Sequence, residues 1–336
     1  MGARYRAVRE RLPNCQVTAM WSYAVQRLLL AIPTLLGVSI IMFVLIHVVP
    51  GDPLASLVGT QGSTGFSRED MEKKFGFDKP IVVQYGIWLG KAVTGDFGRS
   101  FSDGTSVGKT VLEAVANTFI LAATSTTICI ILGIVLGTIA GFHQGRWPDK
   151  VASGVAITGL SLPQYWVALL LVIVFSVNWR VLPVQGMQTL GGSDSVVLDV
   201  IEHMIIPVVA LTWISLGVIT RMVRASVLEA LNQEYVTALR AKGMKPYRVV
   251  LHVVKNAMPT VMTVLGLVFA YNLGGSVLVE AVMNWPGAGA LLNYAVLSRD
   301  ITVIQTTVLV LASFFVVINV IVDILNSVID PRIRHT

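Results

Sequence analysis

The chain has 336 residues, of which 54% are hydrophobic and 13% charged, with a mean hydropathy of +0.72. Soluble domains run about a quarter charged and do not need repeated apolar runs of about 20 residues, so the composition excludes an ordinary soluble protein and makes lipid the main solvent. The net charge of +6 and pI near 9.4 would suit a nucleic-acid binder, but the basic residues cluster beside apolar runs, as membrane topology requires, so no nucleic-acid partner is expected.

The first 24 residues are polar and carry Arg4, Arg6, Arg9 and Arg11. No short apolar region with a cleavage site follows, so they read as a cytoplasmic N-terminal extension, with Met20 as an alternative start, and not as a removable signal peptide. Six apolar segments come next: Val25 to Val49, Asn117 to Phe142, Val151 to Val177, Ile201 to Ile219, Ala257 to Met283, and Ile301 to Val328. Each can cross roughly 30 Å of hydrocarbon as a helix, the form that satisfies its own backbone in lipid. The expected fold is therefore all-α, with about six transmembrane helices. Pro163, in Ser161-Leu162-Pro163, is expected to kink the third.

The connection from Pro50 to Ala116 holds seven Lys or Arg and eight Asp or Glu. It reads as a small extracytoplasmic loop region. Within it, Pro80 to Val93 is apolar, carries Tyr85 and Trp88, and is too short to span, so an interfacial helix is expected there. The remaining five helices occupy 117–328, followed by a short tail, 329–336. Lys and Arg in the N-terminus, at Arg146 and Lys150, between Arg221 and Lys255, and at Arg332 and Arg334 all fall on one side for an even number of spans. The positive-inside rule then places both termini in the cytoplasm.

The stretch Gly104-Thr105-Ser106-Val107-Gly108-Lys109-Thr110 is one residue short of a phosphate loop, and the first glycine position falls on Asp103, so a Gly-rich turn is the better reading. No hydrolase elbow or metal-spaced His/Cys set is present in the sequence, and Cys15 and Cys129 make no metal-spaced pair. Gly133, Gly137 and Gly141 recur every four residues and suit close helix packing, with pore lining as the alternative. Asn272, followed by Gly274, Gly275 and Ser276, lies mid-span. Polar and glycine positions there suit either a loosened pathway helix or tight packing. Glu280, near the outer end of the same segment, either faces a water-filled cavity or pairs with a loop cation, and Asp323 is expected to anchor to a basic group at the inner end.

The stretch from Arg221 to Met258 is far longer than a tight turn between spans. Strong helix formers precede Gly243, which suits a left-handed stop, and Pro246 suits the first turn of the next helix. A cytoplasmic helix–turn–helix results, either built to dock a partner or lying on anionic lipid. A secondary transporter would call for inverted repeats and central charges, and a membrane enzyme for a nucleophile–base pair. Neither pattern is evident.

The run Thr237-Ala238-Leu239-Arg240-Ala241-Lys242-Gly243 resembles the EAA loop of ABC-importer permeases, departing at Thr237, at Leu239 and, downstream, at Asn256. Further segments resemble the dipeptide/oligopeptide subgroup. They include Pro50-Gly51-Asp52-Pro53, Gly95-Asp96-Phe97-Gly98-Arg99-Ser100, Ser161-Leu162-Pro163, Val279-Glu280-Ala281-Val282 with Trp285-Pro286-Gly287, Arg299-Asp300, and Asp330-Pro331-Arg332. The resemblance runs from about Tyr23 to Arg334 and implies a transport subunit, with no catalytic residue, in a bacterial inner membrane. It implies a second permease, two ATPase subunits that bind ATP and Mg, and a solute-binding protein as partners, and no cofactor in this chain. Carried onto the coupling loop, 221–256, it makes Thr237, Ala238, Arg240, Ala241, Lys242, Gly243 and Met244 the ATPase-coupling candidates. Asn272, Gly274, Gly275, Ser276 and Glu280 are the translocation-pathway candidates. The substrate is left open among dipeptides, oligopeptides, glutathione, nickel complexes and some sugars or opines.

Overall fold

The computed structural model describes residues 27–45, 48, 79–189, 191 and 195–329. The N-terminal extension with Met20, the Pro50-Gly51-Asp52-Pro53 motif and the tail from Asp330 lie outside the described residues, as does the side chain of Asp323. Among the described residues ten α-helices follow in order: α1 (Arg27–Leu45), α2 (Ile81–Val93), α3 (Val107–Phe142), α4 (Trp147–Ser161), α5 (Gln164–Leu171, continued by a π-helical stretch, Val172–Asn178), α6 (Val196–Leu231), α7 (Glu234–Ala241), α8 (Pro246–Met283), α9 (Ala288–Ser298) and α10 (Ile301–Ile329). Among the described residues the extended structure is limited to an isolated bridge, Arg99 to Ser106. Among the described residues five helices are long and apolar enough to cross a membrane, or six if α4 and the Gln164–Asn178 stretch, bent against each other, count as one broken span. The expectation of about six spans holds.

Three boundaries differ from the apolar runs. The second long helix begins at Val107, ten residues before the run starting at Asn117. Lys109 and Glu113 interrupt the run, but Val107, Val111, Ala114 and Val115 keep one apolar face, which packs on Ala288 and Ala295 of α9 and Val303 of α10. The fourth continues to Leu231. Arg221 and Arg224 end the apolar run, yet Val223, Val227 and Ala230 keep the face that packs in the core. The third does not merely kink. Its direction turns through 105° between the two helices, with Leu162 extended before Pro163, as the residue ahead of a proline prefers.

The bundle is held by α3, α6 and α8. The glycine stripe of α3 is a packing surface: a Cβ at Gly133 would lie 2.5 Å from Ile219, at Gly137 2.6 Å from Val223, and at Gly141 2.6 Å from Val227. Small residues let these helices approach closely, so dispersion contacts hold them where lipid offers no hydrophobic driving force. Gly159 of α4 and Gly217 of α6 do the same backbone to backbone, since a Cβ at either would meet the other helix's carbonyl within 2.6 Å.

A short helix does form at the expected place, α2, none of whose residues is buried. It rests on α1 through a 2.9 Å hydrogen bond between Ser39 and Tyr85, and Phe43 meets the rings of Tyr85 and Trp88. The Gly-rich stretch around Gly104 is a turn. Gly104 has φ +71°, and the Gly108-Lys109-Thr110 part is already helix α3.

Candidate coupling elbow and membrane-embedded polar sites

The stretch between the long helices α6 and α8 is a short helical elbow. Helix α7 ends in a Schellman turn: the Gly243 N–H donates to the Arg240 carbonyl at 3.0 Å and the Met244 N–H to the Leu239 carbonyl at 3.2 Å. Gly243 has φ +71°, the left-handed stop its residue type suggested, and Pro246 begins α8 at its first turn. Val236 is fully buried, and Tyr235, Leu239 and Met244 pack beside it on Val223, Val227, Val249 and Val253 from the ends of α6 and α8. The opposite face is open. Thr237, Ala238, Arg240, Ala241, Lys242 and Gly243 are all exposed, while Met244 turns inward as the apolar closure of the turn. The anchors Tyr235, Val236 and Leu239 were not among the candidates; their apolar spacing on a short helix was the available signal.

At mid-span the pathway candidates separate. Asn272 is fully buried and joins three helices. Ser215 of α6 donates to its Oδ1 at 2.6 Å, and its Nδ2 donates to Thr126 of α3 at 3.0 Å. Its side-chain oxygen and nitrogen are thus bonded within the chain, as a buried amide requires. Helix α8 runs unbroken past the glycine pair. Gly275 lies under the side-chain amide of Gln164, whose Nε2 would be 2.7 Å from an added Cβ. Gly274, one residue round the helix, opens onto an apolar cavity of about 260 Å³ lined by Val115, Phe119, Leu273, Val277, Leu311 and Phe315. Ser276 is buried and donates to the Leu273 carbonyl at 2.9 Å.

Glu280 meets neither a cation nor a water-filled cavity among the described residues. It is fully buried and accepts the Gly289 N–H at 2.7 Å, at the start of α9. A carboxylate there faces the positive end of the helix dipole. The Ala288 N–H donates to Thr118 at 2.8 Å, and Trp285 Nε1 donates to the Asn117 carbonyl at 3.3 Å. Asn117 returns a 2.9 Å bond to the Pro286 carbonyl. A Cβ on Gly287 would collide with the Glu280 carboxylate and the Thr118 hydroxyl. The Trp285-Pro286-Gly287 motif is therefore the tight turn that ties α8 and α9 to α3. The Gly95–Ser100 and Arg299-Asp300 motifs also meet. Ser100 donates to Asp300 Oδ2 at 2.6 Å, and the Ser102 N–H to the same oxygen at 3.1 Å. Both knots lie at the end of the bundle opposite the elbow, because α3 and α8 run antiparallel between them.

The elbow end has its own clasp. Asp149 of α4 receives Arg224 of α6 in two bonds, 2.6 and 2.9 Å, and a third from the Gly145 N–H at 2.9 Å. Bidentate, charge-assisted geometry fixes orientation as well as distance.

Residues 133–335 match the family described as binding-protein-dependent transport system inner membrane component, and residues 20–122 its N-terminal counterpart. A dipeptide transport system permease protein of Alkalihalophilus pseudofirmus is 35% identical, over 94% of this chain and 100% of that one. An oligopeptide transport system permease protein of Bacillus subtilis is 36% identical over the same shares. Among solved structures, the inward-facing MetNI methionine ABC transporter superposes with a TM-score of 0.54 at 18% identity, over 66% of this chain and 96% of that one, a likeness of fold. A multi-pass bundle and a family match across most of its length lead to one assignment: the chain belongs to the binding-protein-dependent inner-membrane permeases and is a transmembrane subunit of an ABC importer.

Proposed function

We propose that this chain is one of two permease halves of a peptide-class importer. Its elbow docks one of two ATPase subunits, which bind ATP and Mg, and its opposite end receives ligand from a solute-binding protein. The permease has no ATPase site of its own; work done by the motor enters through α7. The elbow and both termini face the cytoplasm, a reading supported by the basic residues from Arg221 to Lys255. The observation that carries the proposal is the two-sided chemistry of α7. One side is fastened to the ends of α6 and α8, and the other presents Thr237, Ala238, Arg240, Ala241, Lys242 and Gly243 to a partner. The peptide class is supported by the dipeptide and oligopeptide permeases that this chain resembles along nearly its full length.

The test is site-directed crosslinking in the assembled importer. A cysteine at Ala238, with the native Cys15 and Cys129 removed, should form a disulfide with cysteines placed on the ATPase subunit and should block ATP-driven dipeptide uptake until reduced. Reaction of that cysteine with an impermeant thiol reagent added outside intact cells, or uptake by the permease without ATPase subunits, would overturn the proposal.

A further inference from the structure

Helices α4 and α5 break within the membrane-spanning part of the bundle. Gln164, the first residue of α5, rests on Gly275, inside the apolar Gly266–Met283 stretch of α8. At the break Leu162 and Pro163 are extended. The first N–H groups of a helix have no partner inside it, and those of Gln164 and Tyr165 find none among the described residues. The Gln164 side chain is 7% exposed, and its Oε1 is buried without a hydrogen-bond partner. Beside it Ser161 and Pro163 are exposed, and Tyr165 and Trp166 are 41% and 43% exposed. This combination cannot face lipid. Non-helical backbone at membrane depth is tolerated only inside protein or along water, because unsatisfied backbone groups in hydrocarbon cost several kcal/mol each.

We propose that the break lines the translocation pathway and that the start of α5 is a carboxylate subsite, one that takes the C-terminal end of a peptide in transit. The inference rests on the peptide-class reading above. The two free N–H groups and the helix dipole favour an anion. The Gln164 side-chain amide, on a residue only 7% exposed, has no hydrogen-bond partner among the described residues and adds an unpartnered N–H donor on the same residue. A peptide's C-terminal carboxylate accepts from donors of this kind. Gly275 is what admits this arrangement, since any side chain there would displace the Gln164 amide. With no side-chain cation at the break among the described residues, the anion is held by dipoles alone, which suits a site that must also release its ligand.

The test uses the full importer complex without binding protein or nucleotide, carrying Cys15→Ser, Cys129→Ala and Tyr165→Cys. The introduced thiol should react with water-soluble methanethiosulfonates, and faster with the anionic sulfonatoethyl reagent than with the cationic trimethylammonium-ethyl reagent, once each rate is divided by that for a free thiol. Trialanine should slow the reaction, and trialanine amide should not. Adding Gln164→Glu, which keeps the shape and places a negative charge at the helix start, should raise the trialanine concentration for half-protection about tenfold. An unreactive thiol would mean that lipid or a neighbouring subunit covers the break, and would overturn the proposal. Equal protection by acid and amide, or none by either, would overturn the carboxylate subsite. Failure of the peptide-class reading would show differently: with binding protein added, peptide would not stimulate the ATPase activity of the complex, while charge-selective labelling of the Tyr165→Cys complex would be retained.

Discussion

Replacing Gly243 separates two effects that usually come together in a glycine substitution. A Cβ added there meets no heavy atom within 4 Å, so a side chain finds room. The φ of +71° is nevertheless unfavourable for any L side chain, by about 1–2 kcal/mol for ordinary residues, less for Asn and most for β-branched ones. At 1.4 kcal/mol per tenfold, that strain lowers the population of the closed Schellman turn about 5- to 30-fold relative to glycine. The elbow then frays at Met244, where its apolar closure on the α6 and α8 ends is made. The assay is ATP-driven uptake in proteoliposomes, read beside ATPase activity and the yield of assembled complex. Uptake should fall in the order Gly243→Asn, Gly243→Ala, Gly243→Val, with membrane insertion unchanged and ATP hydrolysis uncoupled from uptake. Equal uptake by the Asn and Val variants in intact complexes would refute the reasoning, because it would mean that the left-handed turn carries no mechanical demand.

Two further predictions concern the embedded clasps. Asn272→Ala leaves the Ser215 hydroxyl without its acceptor and opens a small void, so the purified complex should lose about 1–3 kcal/mol of stability, measured as a fall in Tm; an unchanged Tm would mean that the three-helix bond is not holding the bundle. Glu280→Gln keeps an acceptor for the Gly289 N–H and should cost under about 1 kcal/mol, whereas Glu280→Ala should cost about 2–4 kcal/mol; equal losses would show that negative charge, and not the hydrogen bond, secures α9.

The long apolar runs were legible because lipid demands them, and so was the glycine stripe of α3, whose spacing matches one helical face. Gly243 and Pro246 were legible for a different reason: each residue type is suited to a particular backbone state, and each is found in it. Side-chain direction was not. Met244 directly follows the resemblance motif and was a coupling candidate, yet it closes the turn on the apolar cluster, because the residue after a left-handed glycine folds back on the helix it ends. Asn272 and Glu280 were readable as costly polar groups in a span, but their partners lie on other helices. Thr126 and Ser215 complete one cluster, Thr118 and Gly289 the other. The depth of the break at Pro163 was also hidden, since a proline fixes its own φ and restrains one neighbour but leaves the angle between the flanking helices to their packing.

The distribution of continuity and interruption says where this bundle can move. Helices α6 and α8 run unbroken for 36 and 38 residues, about 55 Å each at 1.5 Å per residue. The elbow joins them at one end, and the Ser215–Asn272 bond pins them at mid-depth. A displacement at α7 therefore reaches mid-depth as motion of a coupled pair of rods, with α3 carried along by its glycine contacts and by Thr126. Helices clasped in this way are poor places for the change of shape that the proposed ATP-driven transport requires. That change falls to the interruptions: the 105° junction between α4 and α5, and the Trp285-Pro286-Gly287 turn before α9. The first is unpinned along its exposed side, while the second is held by Glu280, Thr118 and Asn117. A stroke entering at the elbow should therefore be spent first at Leu162-Pro163, and spin labels spanning that junction should change separation on ATP binding before labels spanning the Trp285 turn do.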